Sequence, residues 1–286
     1  MSSSRLILVT VIAMIAFAGN SLLCRLAFNE TNIDAASFTT IRILSAVVML
    51  AVVVTLKNRQ LIWGGNWISA ISLLAYAAGF SFAYLSLPAA TGALLLFGAV
   101  QATMISYGVF AGELTNIKQF SGIALALGGL IVLFLPGLAS PPLVGSLLML
   151  GAGIAWGIYS LRGRSAGDAT QETSGNFLRA APLALVVSML MIPQMSVDYS
   201  GIVYAVASGA LASGIGYALW YSVLPYLKAT SAATVQLSVP VITALGGVVL
   251  LGEPITFRLV LASCAILGGI CIYILAKGDA AVAHKK

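Results

Sequence analysis

The chain has 286 residues, 60% of them hydrophobic and only 8% charged, with a mean hydropathy of +1.05. Soluble domains carry roughly 25% charged residues, so this composition excludes a water-soluble fold and indicates a polytopic membrane protein. The net charge of +6 does not point to nucleic acid, which needs a basic stripe interleaved with aromatics on a solvent-facing domain; the excess reads as an orientation signal.

An α-helix rises 1.5 Å per residue, so about 20 residues cross the hydrocarbon core. Ten such spans are predicted, at about 6–28, 36–56, 66–86, 89–111, 117–136, 143–162, 176–194, 200–224, 229–251 and 257–276. Ala16-Phe17-Ala18 in the first span mimics a signal-peptide cleavage site, but the apolar run continues past it, so the span is read as retained. Lys57-Asn58-Arg59-Gln60 ends the second span. Pro88 and Pro225 separate spans 3 and 4 and spans 8 and 9, and Pro136-Gly137 with Pro141-Pro142 forms a linker at the midpoint. Gly252-Glu253-Pro254 stops one helix and starts the next.

With the N-terminus inside, Arg5, Lys57, Arg59, Lys118, Arg162, Arg164, Lys228, Lys277, Lys285 and Lys286 fall on the cytoplasmic side. The outer side receives little beyond Arg25, Glu30, Asp34, Asp198, Glu253 and Arg258. This bias places both termini in the cytoplasm of a bacterial inner (plasma) membrane protein.

Two segments repeat. A shift of 140 positions lays Gly112-Glu113 on Gly252-Glu253, Gly128-Gly129 on Gly268-Gly269 and Thr103 on Thr243. A three-residue slip lays Leu87-Pro88 on Leu224-Pro225. The predicted halves are 1–138 and 139–286, five spans each. An odd number of spans puts the second half through the membrane upside down relative to the first. Such inverted repeats mark two-half transporters, with the substrate site at the shared midplane interface.

Leu251-Gly252-Glu253-Pro254-Ile255-Thr256 followed by the Gly268-Gly269 helix resembles the end of an EamA domain. Gly112-Glu113-Leu114-Thr115 before the Gly128-Gly129 helix is its echo, with Leu114 where the second half has Pro254. Two such halves resemble the drug/metabolite transporter superfamily, and within it the bacterial YddG-type amino-acid exporters. The resemblance implies an all-α polytopic protein whose ten transmembrane helices surround a central cavity, with spans 5 and 10 at the periphery.

Tyr76, Phe80 and Tyr84 lie at i, i+4 and i+8 on one face of the third span, and Ser213, Tyr217 and Tyr221 share that spacing in the eighth. Under the slip, Phe80 matches Tyr217 and Tyr84 matches Tyr221. Two such faces can line a cavity for a flat or apolar side chain; helix packing with an interfacial aromatic belt explains them equally. Asn20, Gln101 and Gln236 are amides inside spans, open to substrate hydrogen bonding or to interhelical bonding. Trp156 and Tyr159 in the sixth span are read as cavity lining. These ten residues form the candidate substrate-binding set.

Arg42 and Arg179 recur 137 residues apart, each near enough to a span end to snorkel, and each a candidate for substrate contact. Glu113 and Glu253 fall at opposite faces, each read as structural at a helix N-terminus. Pro240 kinks span 9, beside the cavity or as plain packing. Ser208, Ala212 and Gly216 recur at intervals of four, which permits close helix approach.

The sequence carries no pattern for a cofactor, a metal site or catalysis. Cys24, Cys264 and Cys271 lie in apolar stretches without CxxC spacing, and the single histidine, His284, sits in the polar tail. A phosphate-binding Gly-Lys-Ser/Thr loop is also missing, which disfavours an ATP-driven pump. A lipid- or prenyl-modifying membrane enzyme needs a base, a nucleophile or metal-binding carboxylates within reach of one another. The expected partners are therefore a small-molecule substrate and the lipid bilayer. The expected activity is export of amino acids, aromatic or otherwise neutral, by alternating access, with drugs and other metabolites as the alternative substrates. With no Asp or Glu deep in a span, facilitated diffusion or exchange fits better than a carboxylate proton relay.

Overall fold

In the computed structural model the described residues are 2–60, 63–111, 116–135, 140–163, 168–227, 232 and 235–283, with side chains described to residue 276. The secondary structure among them is helical. The elements are α1 (Ser3–Glu30), α2 (Ala35–Asn58), α3 (Trp67–Tyr84), α4 (Ala89–Phe110), α5 (Ile117–Phe134), α6 (Leu143–Gly163), α7 (Ala169–Leu190), α8 (Tyr199–Tyr226), α9 (Ser238–Leu251) and α10 (Phe257–Ala283).

Eight of these helices are long and apolar enough to cross a membrane. The remaining two depart from expectation. Helix α7 begins at Ala169 rather than 176, because Asp168 caps it by accepting from the amides of Thr170 and Gln171, and its polar first turns are folded inward. Helix α9 runs from Ser238, and a turn at Leu237 parts it from the helical residues Ala232, Val235 and Gln236 of the expected span. Pro240 sits in its first turn, where its missing N–H costs least, and offers no helical donor to the carbonyl of Gln236.

The caps are local chemistry. Asp34, Asn66, Asn116 and Asp198 each accept from backbone amides of the turn that follows, and Asn116 completes a capping box with Gln119. Between caps, helical hydrogen bonds satisfy the backbone as lipid demands, with one donor missing at Pro182 inside α7. The outward faces carry large apolar side chains such as Val48, Leu56, Phe110, Ile117, Leu190, Val249 and Phe257, all exposed. A soluble protein would hide this surface; a bilayer solvates it.

The packing has a plan. Helix α3 packs on α6 and α7, and α8 packs on α1 and α2. Helix α4 packs on α6, and α9 on α1. The pairs α2–α7, α4–α9 and α5–α10 also touch, and α10 leans on α4. Helices α5 and α10 cross backbone to backbone: a Cβ on Gly122 would meet the Gly269 carbonyl at 2.5 Å, and one on Gly269 would meet Gly122 and lie 2.7 Å from the Ala126 amide. In α8, residues Ala207–Ile215 form a π-helical segment. Its Gly209 lies directly against the Arg42 carbonyl and Ser45 Oγ, so the segment is seated on α2.

One end of the bundle is held by Lys57 and Asp168, 2.7 Å apart. Partial burial pushes the Asp168 carboxyl up, but the hydrogen bond and charge of Lys57 together with the amides of Gln171 and Thr170 outweigh it and hold the group below its ordinary value of 3.8. The carboxylate is thus charged at neutral pH, and this clamp weakens only as acid protonates it. At the same end Arg179 donates to the carbonyls of Gly64 and Gly175, and Gly65, at φ +82°, presses its backbone onto Asn176. The opposite end carries an ion pair between Arg25 and Glu253.

Candidate functional site

Two cavities lie among the helices. The first is lined by Phe17, Asn20, Ser21, Tyr76, Phe80, Leu96, Phe97, Trp156, Ala212, Tyr217 and Gln236. The second lies toward the Lys57–Asp168 end, and its lining includes Asn66, Tyr159, Arg162, Glu172, Thr173, Asn176 and Tyr221.

An aromatic stack separates them. Trp156 stacks on Tyr217 at 5.1 Å and on Tyr159 at 5.2 Å, with interplanar angles of 23° and 24°. Tyr76 tilts against Trp156 at 4.8 Å and against Phe80 at 5.5 Å. Phe17 meets Tyr217 edge-on at 5.6 Å. The result is a continuous aromatic wall contributed by α1, α3, α6 and α8.

The polar side of the first cavity is a chain of hydrogen bonds. Ser208 donates to Asn20 Oδ1 at 2.6 Å, and Asn20 Nδ2 donates to Tyr76 Oη at 3.1 Å. Tyr76 Oη also accepts from Arg42 Nη2 at 3.0 Å, and Arg42 Nε reaches Ser213 Oγ at 3.5 Å. In the second cavity Tyr159 donates to Thr173 and accepts from Asn176, while Arg162 donates to Asn66 and Ser69.

The candidate set therefore divides. Asn20, Tyr76, Phe80, Trp156, Tyr217 and Gln236 meet in the first cavity, and Tyr159 and Tyr221 line the second. Tyr84 and Gln101 line neither. Tyr84 is pinned elsewhere: its hydroxyl donates to the Ala89 carbonyl, and its ring rests on Phe80 and Gly92. Gln101 is buried in α4, one turn beyond the lining residue Phe97.

Arg42 does not snorkel. It is 1% exposed, with its guanidinium carbon 5.3 Å from the Tyr76 ring centroid and 4.9 Å from that of Phe80. Nor does Glu253 serve its own following helix. It pairs with Arg25 at 3.1 Å and accepts from the amide of Ala89 at 2.7 Å, so it caps α4. Arg25 also donates to the Tyr84 carbonyl at 3.0 Å. Glu113 lies outside the described residues.

Glu253→Ala leaves the largely buried Arg25 and the Ala89 amide without their acceptor, and is expected to cost about 1–3 kcal/mol. Glu253→Gln keeps the amide acceptor and should cost less. Thermal unfolding of the detergent-solubilised variants measures both; equal melting temperatures for wild type and Glu253→Ala would contradict it.

The sequence reading missed Phe17, Ser21, Leu96, Phe97 and Ala212 as lining residues, and Ser208 and Ser213 as partners of the polar chain. One signal was available. Phe17 stands three residues before Asn20, hence on its helix face.

A lipid-facing helical bundle enclosing an aromatic and amide cavity, without a grouped set of His, Cys, Asp or Glu among its described residues, has the build of a carrier for small molecules. Residues 143–275 match the model of the EamA-like transporter family. The uncharacterized protein PA1977 of Pseudomonas aeruginosa (strain PAO1) is 52% identical over 273 residues, 95% of each chain. The threonine/homoserine exporter RhtA of Salmonella typhimurium is 28% identical over 52% of each chain. The "Probable amino-acid metabolite efflux pump" of Escherichia coli K12 is 24% identical over 71% of this chain and 73% of its own. A solved structure, "Crystal structure of protein", shares the fold at a TM-score of 0.66, with 18% identity over 96% of this chain and 99% of its own. The chain belongs to the EamA-like transporter family of the drug/metabolite transporter superfamily; it is a multi-pass membrane transporter and not an enzyme.

Proposed function

We propose that the protein exports neutral amino acids, aromatic ones included, from the bacterial cytoplasm through alternating access of the first cavity. The observation that carries this reading is the lining itself: a stacked aromatic wall facing Asn20 and Gln236, with no Asp or Glu among the lining residues. Such a site takes an apolar side chain by stacking and presents amides to amino and carboxylate groups. The relatives named as exporters of threonine and homoserine and of amino-acid metabolites support the substrate class.

The chain crosses the inner membrane as ten spans in two inverted five-helix halves, 1–138 and 139–286, with both termini cytoplasmic. The packing supports this arrangement. Exchanging the halves turns the α3–α6 contact into α8–α1 and the α4–α6 contact into α9–α1. The matched pair Phe80 and Tyr217 lines one cavity, while Tyr84 and Tyr221 lie toward opposite ends of the bundle. Tyr76 and its counterpart Ser213 both hydrogen-bond Arg42. Rocking the halves about this interface would open the cavity to either side in turn.

The transporter acts as a facilitator or exchanger. With no carboxylate on the first cavity, a proton relay has no carrier there. Counterflow of radiolabelled phenylalanine, leucine and threonine into proteoliposomes tests both claims. Saturable uptake of at least one, unchanged by an imposed pH gradient, is the expected result. Uptake that collapses without the gradient would contradict the facilitator reading, and no uptake of any amino acid by folded protein would contradict the substrate class.

A further inference from the structure

The polar chain of the first cavity ends on a charge that no acidic side chain among the described residues balances. Arg42 is fully buried, and a guanidinium cannot shed its proton at physiological pH. Buried cations are ordinarily paired with an anion. The ion pairs among the described residues are Arg25–Glu253 and Lys57–Asp168, and neither involves Arg42. Its neighbours are instead neutral: the Tyr76 hydroxyl, the Ser213 hydroxyl and the faces of Tyr76 and Phe80. Its Nη1 is buried without a hydrogen-bond acceptor.

The placement of this open donor is specific. The guanidinium lies directly behind Tyr76 and Phe80, two residues of the cavity wall. The Tyr76 hydroxyl oxygen accepts simultaneously from Arg42 Nη2 and Asn20 Nδ2. A phenol oxygen meets that pair of donors only in part, since it offers one atom and no charge. A carboxylate offers two oxygens and a full negative charge, and the forked geometry of arginine matches it. The π-helical segment of α8 holds Ser213 against Nε, which fixes the fork's third donor and leaves the Nη1 edge open.

We propose that Arg42 is the carboxylate anchor of the transport site. Tyr76 turns aside, and a substrate carboxylate takes the place of its hydroxyl between Arg42 and Asn20, with the substrate's apolar body against Trp156 and Tyr217. The site therefore selects organic carboxylates, amino acids among them, with an uncharged apolar or aromatic side chain. This rests on the first cavity being the substrate site, and it names the group by which substrates are chosen.

The test compares ligands altered at the carboxylate or at the amino group alone. L-phenylalanine, L-phenylalaninamide and 3-phenylpropionate are titrated against purified wild type, Arg42→Gln and Arg42→Lys by calorimetry, with folding checked by gel filtration. Loss of a charge-assisted hydrogen bond predicts about 10- to 100-fold weaker binding of the amide to wild type. In Arg42→Gln the acid falls to the level of the amide, so the acid-to-amide ratio approaches one. Arg42→Lys keeps the charge without the fork and retains part of the ratio.

A role of Arg42 confined to holding Tyr76 would weaken acid and amide alike and leave the ratio unchanged, which overturns the proposal. Equal binding of acid and amide by wild type also overturns it, and decides the matter even if Arg42→Gln fails to fold. Binding of 3-phenylpropionate that depends on Arg42, with no binding of any amino acid, overturns the amino-acid reading and upholds the anchor. Failure of wild type to bind either acid overturns the anchor.

Discussion

Trp156→Ala is expected to raise the half-saturation concentration for amino-acid counterflow by about tenfold. Trp156 is the middle of the stack, with Tyr217 on one side and Tyr159 on the other. Each aromatic pair of this kind contributes about 0.5–1.5 kcal/mol beyond its buried area, and a factor of ten corresponds to about 1.4 kcal/mol. Removing the indole takes away the substrate's stacking surface and loosens the two rings it orders. It also merges the two cavities, which leaves Tyr159 and Tyr221 on the wall of one larger space. Trp156→Phe keeps a ring in place and should lose much less. Trp67, 56% exposed at the start of α3, is the control: Trp67→Ala should leave the half-saturation concentration unchanged. Initial rates of counterflow across substrate concentrations measure all three, and equal values for Trp156→Ala and Trp67→Ala would contradict the placement of the substrate.

The second large effect concerns the α5–α10 crossing. Gly269→Leu is expected to destabilise the folded protein by about 1–3 kcal/mol or more, the range for overpacking a tight interior. The reason is the backbone approach: any Cβ at Gly269 meets Gly122 and the Ala126 amide on the facing helix. Helix α5 has its main contact with α10, so separating the two leaves α5 with little else to hold it. The neighbour Gly268 has open space around it, and Gly268→Ala should be neutral or slightly stabilising through helix propensity. Thermal unfolding in detergent distinguishes them. A melting temperature for Gly269→Leu equal to that of Gly268→Ala would contradict the backbone contact.

These two glycines show how far the sequence could be read. The matched pairs Gly128-Gly129 and Gly268-Gly269 marked the α5 and α10 helices as related elements. Yet Gly129 and Gly269 lie at the crossing while Gly128 and Gly268 face open space, and the partner of Gly269 is Gly122, which no repeat match singled out. A repeat reports that two segments are alike; it does not report which residues of one meet the other.

The aromatic faces were legible for a better reason. Spacing of four places Tyr76 and Phe80 on one helix face whatever surrounds them, and the same holds for Ser213 and Tyr217. That these faces meet is a tertiary fact, made by α6 inserting Trp156 between them. The same spacing misled at the ends: Tyr84 and Tyr221 continue the two faces, but each helix carries them away from the first cavity, Tyr84 toward Arg25 and Tyr221 into the second cavity.

Arg42 was the residue least readable from sequence. A cation eight residues into an apolar helix is long enough to reach the interface, and the local pattern cannot say whether it does. The answer came from α3 and α8, which enclose it with aromatic faces and a π-helical turn. Likewise the start of α7 looked like a loop because Thr170, Gln171, Glu172, Thr173 and Ser174 are polar. They are helical because Asp168 caps them and because α2 and α3 pack on the helix.

The most direct test of the central claim is an experimental structure of the protein with a transported amino acid bound. The expected result is ligand density in the first cavity, with its side chain against Trp156 and Tyr217 and its polar groups beside Asn20 and Gln236. Ligand confined to the second cavity, or on a lipid-facing surface with the first cavity unchanged, would contradict it.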